Sequence, residues 1–488
     1  MSQELLVNVT PQETRVAVLD NGSLQEVHIE RTRSRGLVGN IYQGQVSRVL
    51  PGMQAAFIDA GLQRTAFLHA SDLRARYAAA TGEGGDPPPI QQLLREQQKL
   101  MVQVVKDPIG SKGARLTTQI AIPARTMVLL AGNPGIGVSA RIEAESERER
   151  LRSLAQTITA ATPEDGCILR TAAEGADQAA LQRDWDFLQR LWADIRRRAE
   201  HAQPATLLHE DLPLVLRILR DLVGEEVERV RVDSREWHER MIDFSEAFLP
   251  DAGSRLEHYP GERPIFDLYG VEDEIQRALQ RRVQLKSGGY LIIDQTEALT
   301  TIDVNTGGYV GHRTLEETIF KTNLEAAQTI VRQLRLRNLG GIIIVDFIDM
   351  EDAEHQRQVL RALSKGLERD HARTQVSAIS SLGLVEITRK RIRESLQHQL
   401  CEVCPTCAGR GYLKSAETVC HEVTREILRE ARQFEFSRLL VLAAQEVVDR
   451  ALEEEGDGFA ELEAFIGKPI EFQAEPLYNP EQFDVVLM

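Results

Sequence analysis

Cysteine is scarce and unevenly placed: of five in 488 residues, four fall between Cys401 and Cys420. A secreted domain held by disulfides spreads its cysteines as a framework, so this clustering argues against that class and favours metal binding. Long apolar runs are missing too. No stretch of about 18 or more apolar residues occurs, and the start Met1-Ser2-Gln3-Glu4 has no basic region followed by an apolar one. Neither a membrane span nor a secretion signal is expected, which places the protein in the cytoplasm. An excess of positive charge is absent as well. The net charge of -16 excludes indiscriminate affinity for phosphate backbones, though not a basic groove on an acidic body. Two concentrations of basic residues suit such a groove: Arg332, Arg335 and Arg337, then Arg389, Lys390, Arg391 and Arg393.

What is present is enough apolar sequence, 42%, to fold a chain whose length calls for about three or more domains. Residues 1–35 alternate apolar and polar, and Asp20-Asn21-Gly22 marks a hairpin. That piece is too short to fold alone and must join a sheet made elsewhere, which residues 214–279 can complete around an insertion. Short strands separated by Gly and Pro over residues 36–120 (41–49, 55–59, 65–69, 100–105 and 115–120) suggest a small barrel. Within it Phe57 and Phe67 are either core residues or an exposed surface on which unpaired bases stack, with Lys106 and Lys112 tracking phosphates. The insert 78–89 reads as a mobile loop. In residues 121–213, Leu169-Arg170-Thr171-Ala172 places an arginine beside a hydroxyl, able to hold a phosphate; the plainer reading is a surface arginine next to a helix-capping threonine.

The richest stretch runs from Leu299 to Asp349. Leu299–Gly308 and Gly341–Asp349 each read as a strand ending in a carboxylate, and the helix between them has Leu315, Ile319, Ala326, Ile330 and Leu334 on one face, closed by Asn338 and Gly340-Gly341. A strand, helix, strand unit makes its strands parallel, so Asp303 and Asp346 reach the same sheet edge. Such a pair serves as an acid and base couple, a salt-bridge site, structural strand ends, or ligands of a hard cation. Asn305 on the same strand face, the loop Gly307-Gly308 and nearby arginines favour a cation. No histidine adjoins either aspartate; His312 lies past the loop. Attack on a phosphodiester by a water that a Mg²⁺ ion activates, leaving 5′-phosphate and 3′-hydroxyl ends, is the expected chemistry. Asp349 reads as the N-cap of the next helix. Downstream, Cys404-x-x-Cys407 followed by Gly409 and Gly411 has the form of a zinc knuckle rather than a redox pair. One knuckle supplies two ligands, so Cys401 and Cys420, or a second protomer, must complete the set.

Taken together, Gln3–Pro11, Gly39–Tyr42, Asp107–Gly113, Asp303–Gly307, Asp346–Met350 and Cys404–Cys407 resemble the bacterial ribonuclease E/G family over essentially the whole chain. The resemblance implies a multidomain α/β and α+β architecture. A split ribonuclease-H-like domain (1–35 and 214–279) would be interrupted by an OB-fold RNA-binding domain (36–120) and a 5′-sensor region (121–213). A deoxyribonuclease-I-like catalytic domain (280–400), a zinc link (401–414) and a small C-terminal domain (415–488) would follow. It also implies roles. Asp303 and Asp346 would hold catalytic Mg²⁺, assisted by Asn305; Phe57, Phe67 and Lys112 would bind single-stranded RNA. Arg170, Thr171 and backbone near Val128 would sense a 5′-monophosphate, while Ala124 stands where ribonuclease E carries a glycine. Cys404 and Cys407 would share a Zn²⁺ ion with a second protomer, giving a homodimer or a higher oligomer. The implied activity is endonucleolytic cleavage of single-stranded A/U-rich RNA, including maturation of the 16S rRNA 5′ end and mRNA decay. A non-catalytic RNA-binding scaffold is the alternative, and it would be expected to have damaged aspartates. A nucleotide phosphotransferase would need a glycine-rich phosphate loop with lysine, which is absent.

Overall fold

The computed structural model describes residues 3–73, 89–108, 112–224, 226–307, 315–368 and 370–488. The expected mobile insert thus lies almost wholly outside the described residues, as do Gly308 and His312. The chain divides into two compact units, Met1–Leu396 and Gln397–Met488. No described helix is long and apolar enough to cross a membrane.

A six-stranded sheet carries the two aspartates. Its order is Arg282–Gln284, Tyr290–Gln295, Leu299–Asn305, Gly341–Asp346, Leu384–Arg389, Thr374–Val376. Only the two central strands run parallel, with Asp303 paired to Asp346 in register. Side chains alternate across a strand, and here one face is dry. Thr300, Ile302 and Val304, with Ile343 and Val345, are buried beneath helices, whereas Asp303 and Asp346 stand on the open face. The crossover helix Leu315–Leu336 buries Ala326, Ala327, Ile330 and Leu334 against that sheet. Leu315 departs from the expected stripe. As the first residue of the helix it is 76% exposed, and Ile319 begins the packing. The helix stops where Asn338 turns left-handed (φ 49°) and donates its side-chain amide to the carbonyls of Arg393 and Glu394, both at 2.9 Å.

A second sheet joins the two ends of an interrupted region, in the order Leu256–His258, Val227–Val232, Gln3–Val9, Glu13–Asp20, Ser23–Arg31. Gln3–Val9 lies parallel to Val227–Val232, a partner more than 200 residues away. The hairpin turns at Asn21 (φ 48°) and Gly22 (φ 76°), the double positive φ that a two-residue type I′ turn requires. The helix Val271–Ala278 closes this region.

Between these segments the strands Ile41–Leu50, Ala55–Asp59, Ala66–His69, Arg115–Thr117 and Lys99–Lys106 close into a five-stranded barrel, since Ile41–Leu50 pairs with both Ala55–Asp59 and Lys99–Lys106. Val46, Ile58, Leu68, Val102 and Leu116 fill its interior. The closure is consistent with an OB-like domain. A four-stranded sheet follows, ordered Ile136–Val138, Gly166–Leu169, Met127–Leu130, Ala121–Pro123, and its core includes Trp185, Leu188 and Trp192 of the helix Gln178–His201.

The second unit has a three-stranded sheet, Ile470–Ala474, Leu439–Ala443, Phe483–Leu487, packed on the helix Ala416–Gln433. Cys420 is 1% exposed in that core, with its Sγ 3.6 Å from the Val447 carbonyl, and burial pushes its thiol up to about 11. A buried, protonated thiol is a poor zinc ligand.

Candidate active site

The parallel register sets Asp303 and Asp346 side by side on adjacent strands, whose spacing is about 4.8 Å. Together with Val304, Phe347, Ile348 and Asp349 they line an open cleft of about 240 Å³. Asn305, two residues beyond Asp303, donates its Nδ2 hydrogen to Asp303 Oδ2 at 2.8 Å, which fixes the carboxylate rotamer. Burial, and then the facing charges of Asp303 and Asp349, raise the Asp346 carboxyl above its ordinary range. Among the described residues none of the three carboxylates forms an ion pair. Such a set of hard oxygen donors, lacking a protein counter-charge, could hold a hard divalent cation.

Asp349 therefore belongs to the cleft, and the expectation that it caps the following helix is corrected. The cap of Ala353–Leu367 is Asp352, whose carboxylate accepts from the Glu354 N–H at 2.7 Å. The loop bearing Asp349 is held by a residue that the sequence reading missed. Asn323, fully buried in the crossover helix, donates to the Ile348 carbonyl at 2.7 Å and accepts from the Ile348 N–H at 3.1 Å. An asparagine in a helix interior competes poorly with other residues unless its side chain is used, and that was the available signal.

Two features that favoured a cation in the sequence have other work in the structure. A Cβ at Gly307 (φ 61°) would lie 2.5 Å from the Gly288 carbonyl oxygen, so glycine there serves the adjoining turn. The arginines end the crossover helix, which leads into the start of Gly341–Asp346, the opposite end of that strand from Asp346. Arg332 donates to the Leu24 carbonyl at 3.0 Å, Arg335 forks onto Glu26 at 2.9 and 3.0 Å, and Arg337 is 5% exposed. Arg332 and Arg335 clamp the helix to the N-terminal sheet, whereas Arg337 donates to Gln333 of its own helix at 2.6 Å. Arg389 likewise pairs with buried Asp370 at 2.6 and 2.9 Å, and Arg391 donates to the Gly340 carbonyl at 3.0 Å.

On the barrel, Phe57 and Phe67 are cross-strand partners with ring centroids 6.4 Å apart, edge to face. Both are half-buried and point away from the interior that Ile58, Ala66 and Leu68 fill. Lys106 and Lys112 are exposed. Arg170 directly follows the strand Gly166–Leu169 of the four-stranded sheet, with Nη1 2.7 Å from the Ala124 carbonyl and 2.8 Å from Asp221 Oδ1. Partial desolvation raises the Asp221 carboxyl, but Arg220 and Arg170 together hold it below its usual value, so it stays charged and aims the guanidinium. Thr171 makes no capping bond; its hydroxyl lies 3.1 Å from that of Ser139. Val128 is half-buried on the adjacent strand, and Thr126 on the same segment accepts the Arg170 N–H at 2.8 Å.

Within the second unit, backbone N–H groups of Cys407 and Thr406 lower the Cys404 thiol, and Ala408 (φ 48°) and Gly409 (φ 82°) turn the chain beneath the pair. Cys401 and Cys404 are exposed. Among the described residues the groups of three ligand atoms converging within 4.8 Å are Glu316, Asp352 and His355, and Glu417, His421 and Glu455. Neither contains the expected metal residues. In the first, His355 stacks on Phe320 with 3.5 Å between Nδ1 and Glu316; in the second, Arg450 lies 3.7 Å from each glutamate. Both read as surface charge networks.

The profile of the Ribonuclease E/G family matches residues 121–392, and the chain belongs to that family. It is 55% identical over 491 residues to Ribonuclease G of Escherichia coli K12, covering 100% of both chains, and 50% identical over 490 residues to Ribonuclease G of Haemophilus influenzae, covering 99% of each. Ribonuclease E of Escherichia coli K12 is 39% identical over 433 residues, which are 88% of this chain and 40% of that protein.

Proposed function

We propose that this chain is a Mg²⁺-dependent endoribonuclease that cuts single-stranded A/U-rich RNA to 5′-phosphate and 3′-hydroxyl ends. The observation that carries the reading is the in-register pair Asp303 and Asp346 on the open face, with Asn305 bonded to the first. Asp303 and Asp346 hold the ion, and Asn305 keeps the Asp303 carboxylate in place. The bound ion supplies neutralisation of charge growing on the phosphate and acidification of a water. Phe57, Phe67 and Lys112 on the barrel take the single strand, the rings by stacking and the lysine by charge. The split N-terminal sheet is read as ribonuclease-H-like and the six-stranded sheet as deoxyribonuclease-I-like. The cellular work proposed is maturation of the 16S rRNA 5′ end and mRNA decay in the cytoplasm.

Arg170, Thr171 and backbone near Val128 form the pocket for a 5′-monophosphate, and Asp221 keeps Arg170 aimed. Arg170→Ala is expected to cut the preference for 5′-monophosphorylated over 5′-hydroxyl RNA to near one, measured as the ratio of kcat/KM on two otherwise identical oligonucleotides. An unchanged ratio would remove Arg170 from the pocket. Charge-assisted bonds to one phosphate, about 1.5–3 kcal/mol, correspond to a parent ratio of roughly 10- to 100-fold.

Cys404 and Cys407 hold half of a Zn²⁺ site, completed by the same pair of a second protomer in a homodimer. The lowered Cys404 thiol supports the ligand role, and the burial of Cys420 argues against a set completed within the chain. Metal analysis should give about one zinc per two chains, as a shared four-ligand site requires, and Cys420→Ser should keep it. One zinc per chain would contradict a shared site.

A further inference from the structure

The strand Ala66–His69 buries Ala66 and Leu68 in the barrel and turns Phe67 and His69 outward, both half-buried. The His69 ring lies 6.4 Å from Phe67, tilted by 33°, and Phe67 lies 6.4 Å from its cross-strand partner Phe57, so Phe67 stands at the corner of a three-ring cluster on one face. His69 is held in that cluster by its own turn. The Ser71 N–H donates to Nδ1 at 3.1 Å, and the Ser71 hydroxyl sits 2.9 Å from the same atom. A backbone amide can only donate, so Nδ1 is the acceptor and the proton of the neutral ring stays on Nε2. Among the described residues Nε2 has no hydrogen-bond partner, and no carboxylate pairs with the ring. The neighbouring Asp72 is engaged by Arg115 at 3.0 and 3.1 Å.

We propose that His69 is a third RNA-binding ring of the barrel, stacking on the base beyond the one that Phe67 takes and offering its Nε2–H to an acceptor on that nucleotide. This rests on the reading of the barrel as the single-strand surface. A flat ring fixed beside Phe67 extends a platform on which successive bases stack, and its fixed Nε2–H donor adds an edge contact that phenylalanine lacks.

The test uses the full-length protein, no divalent cation, and a short A/U-rich RNA with a fluorescent 3′ end, read by anisotropy. His69→Ala should weaken binding about 3- to 10-fold, toward the lower end of what loss of one base stack costs. His69→Phe, which keeps the ring, should recover most of the affinity, and Phe67→Ala should weaken binding at least as much as His69→Ala. Binding by His69→Ala within about twofold of the parent, with Phe67→Ala weakened, overturns the role of His69 and leaves the barrel reading standing. Unchanged binding by both variants overturns the barrel reading itself. Equal losses in His69→Ala and His69→Phe assign the effect to the turn at Ser71 and overturn the stacking role.

Discussion

Replacing Asp303 or Asp346 by asparagine should reduce cleavage of a single-stranded RNA by about a thousandfold or more while changing its affinity little. The magnitude follows from what a bound cation contributes, several kcal/mol of charge stabilisation at about 1.4 kcal/mol per decade of rate. Asparagine keeps size and shape but gives up the charge that holds the ion, and the RNA-binding surface assigned to the barrel is a separate part of the chain. The same substitution should have the opposite effect on the fold. The Asp346 carboxyl lies above its ordinary value because burial and then the charges of Asp303 and Asp349 oppose ionisation. A group whose folded pKa is raised costs stability once pH exceeds its unfolded value, and that cost disappears as pH falls through the folded value. At neutral pH in chelator, Asp303→Asn should therefore melt at or above the parent's temperature. Activity lost together with stability would point to a damaged fold instead.

Asn323→Leu is expected to have the next largest effect, through position alone. Both halves of the buried amide are spent on Ile348, one at 2.7 Å and one at 3.1 Å, and this pins the loop that leads from Asp346 to Asp349. Leucine fits the volume and leaves the Ile348 N–H and carbonyl without partners, so the loop will shift to satisfy them. A displacement near 1 Å in a reacting array costs about a hundredfold. The expected result is a kcat lowered by roughly 10- to 100-fold with KM close to the parent's, and a higher Mg²⁺ concentration for half-maximal rate. A rise in KM alone would place Asn323 on the RNA path and not behind the cleft.

The carboxylate pair was legible in the sequence because two short apolar runs, each ending in aspartate, flank a helix long enough to force a parallel crossover. That crossover brings both aspartates to one sheet edge, and the structure supplies the register that makes them neighbours. The Asn21-Gly22 hairpin was equally legible, since a two-residue turn states its φ requirements in residue types. Direction was harder to read. Arg332, Arg335 and Arg337 look like a phosphate groove as a list, but a helix returning antiparallel to its strands carries its C-terminal residues away from the strand ends. Several acidic residues adjoin the helix start, and only the geometry separates the one that caps, Asp352, from the one that lines the cleft, Asp349. Asn323 offered one weak sign. The strands Tyr290–Gln295 and Phe483–Leu487 drew no expectation, being short and defined by the partners beside them. For Phe57 and Phe67 the sequence left core and surface both open, and the alternation Ala66, Phe67, Leu68 around a closed barrel turns the phenyl rings outward.

The central claim is that the open-face carboxylates hold the ion that makes this chain cut RNA. It is tested most directly by single-turnover cleavage of a 5′-monophosphorylated A/U-rich oligonucleotide, using chelator-treated protein to which Mg²⁺ is returned stepwise, with the product ends identified. The expected result is no cleavage before Mg²⁺, saturable recovery in the parent, almost none in Asp346→Asn, and products ending in 5′-phosphate and 3′-hydroxyl. Undiminished cleavage in chelator, or 2′,3′-cyclic phosphate ends, would contradict it.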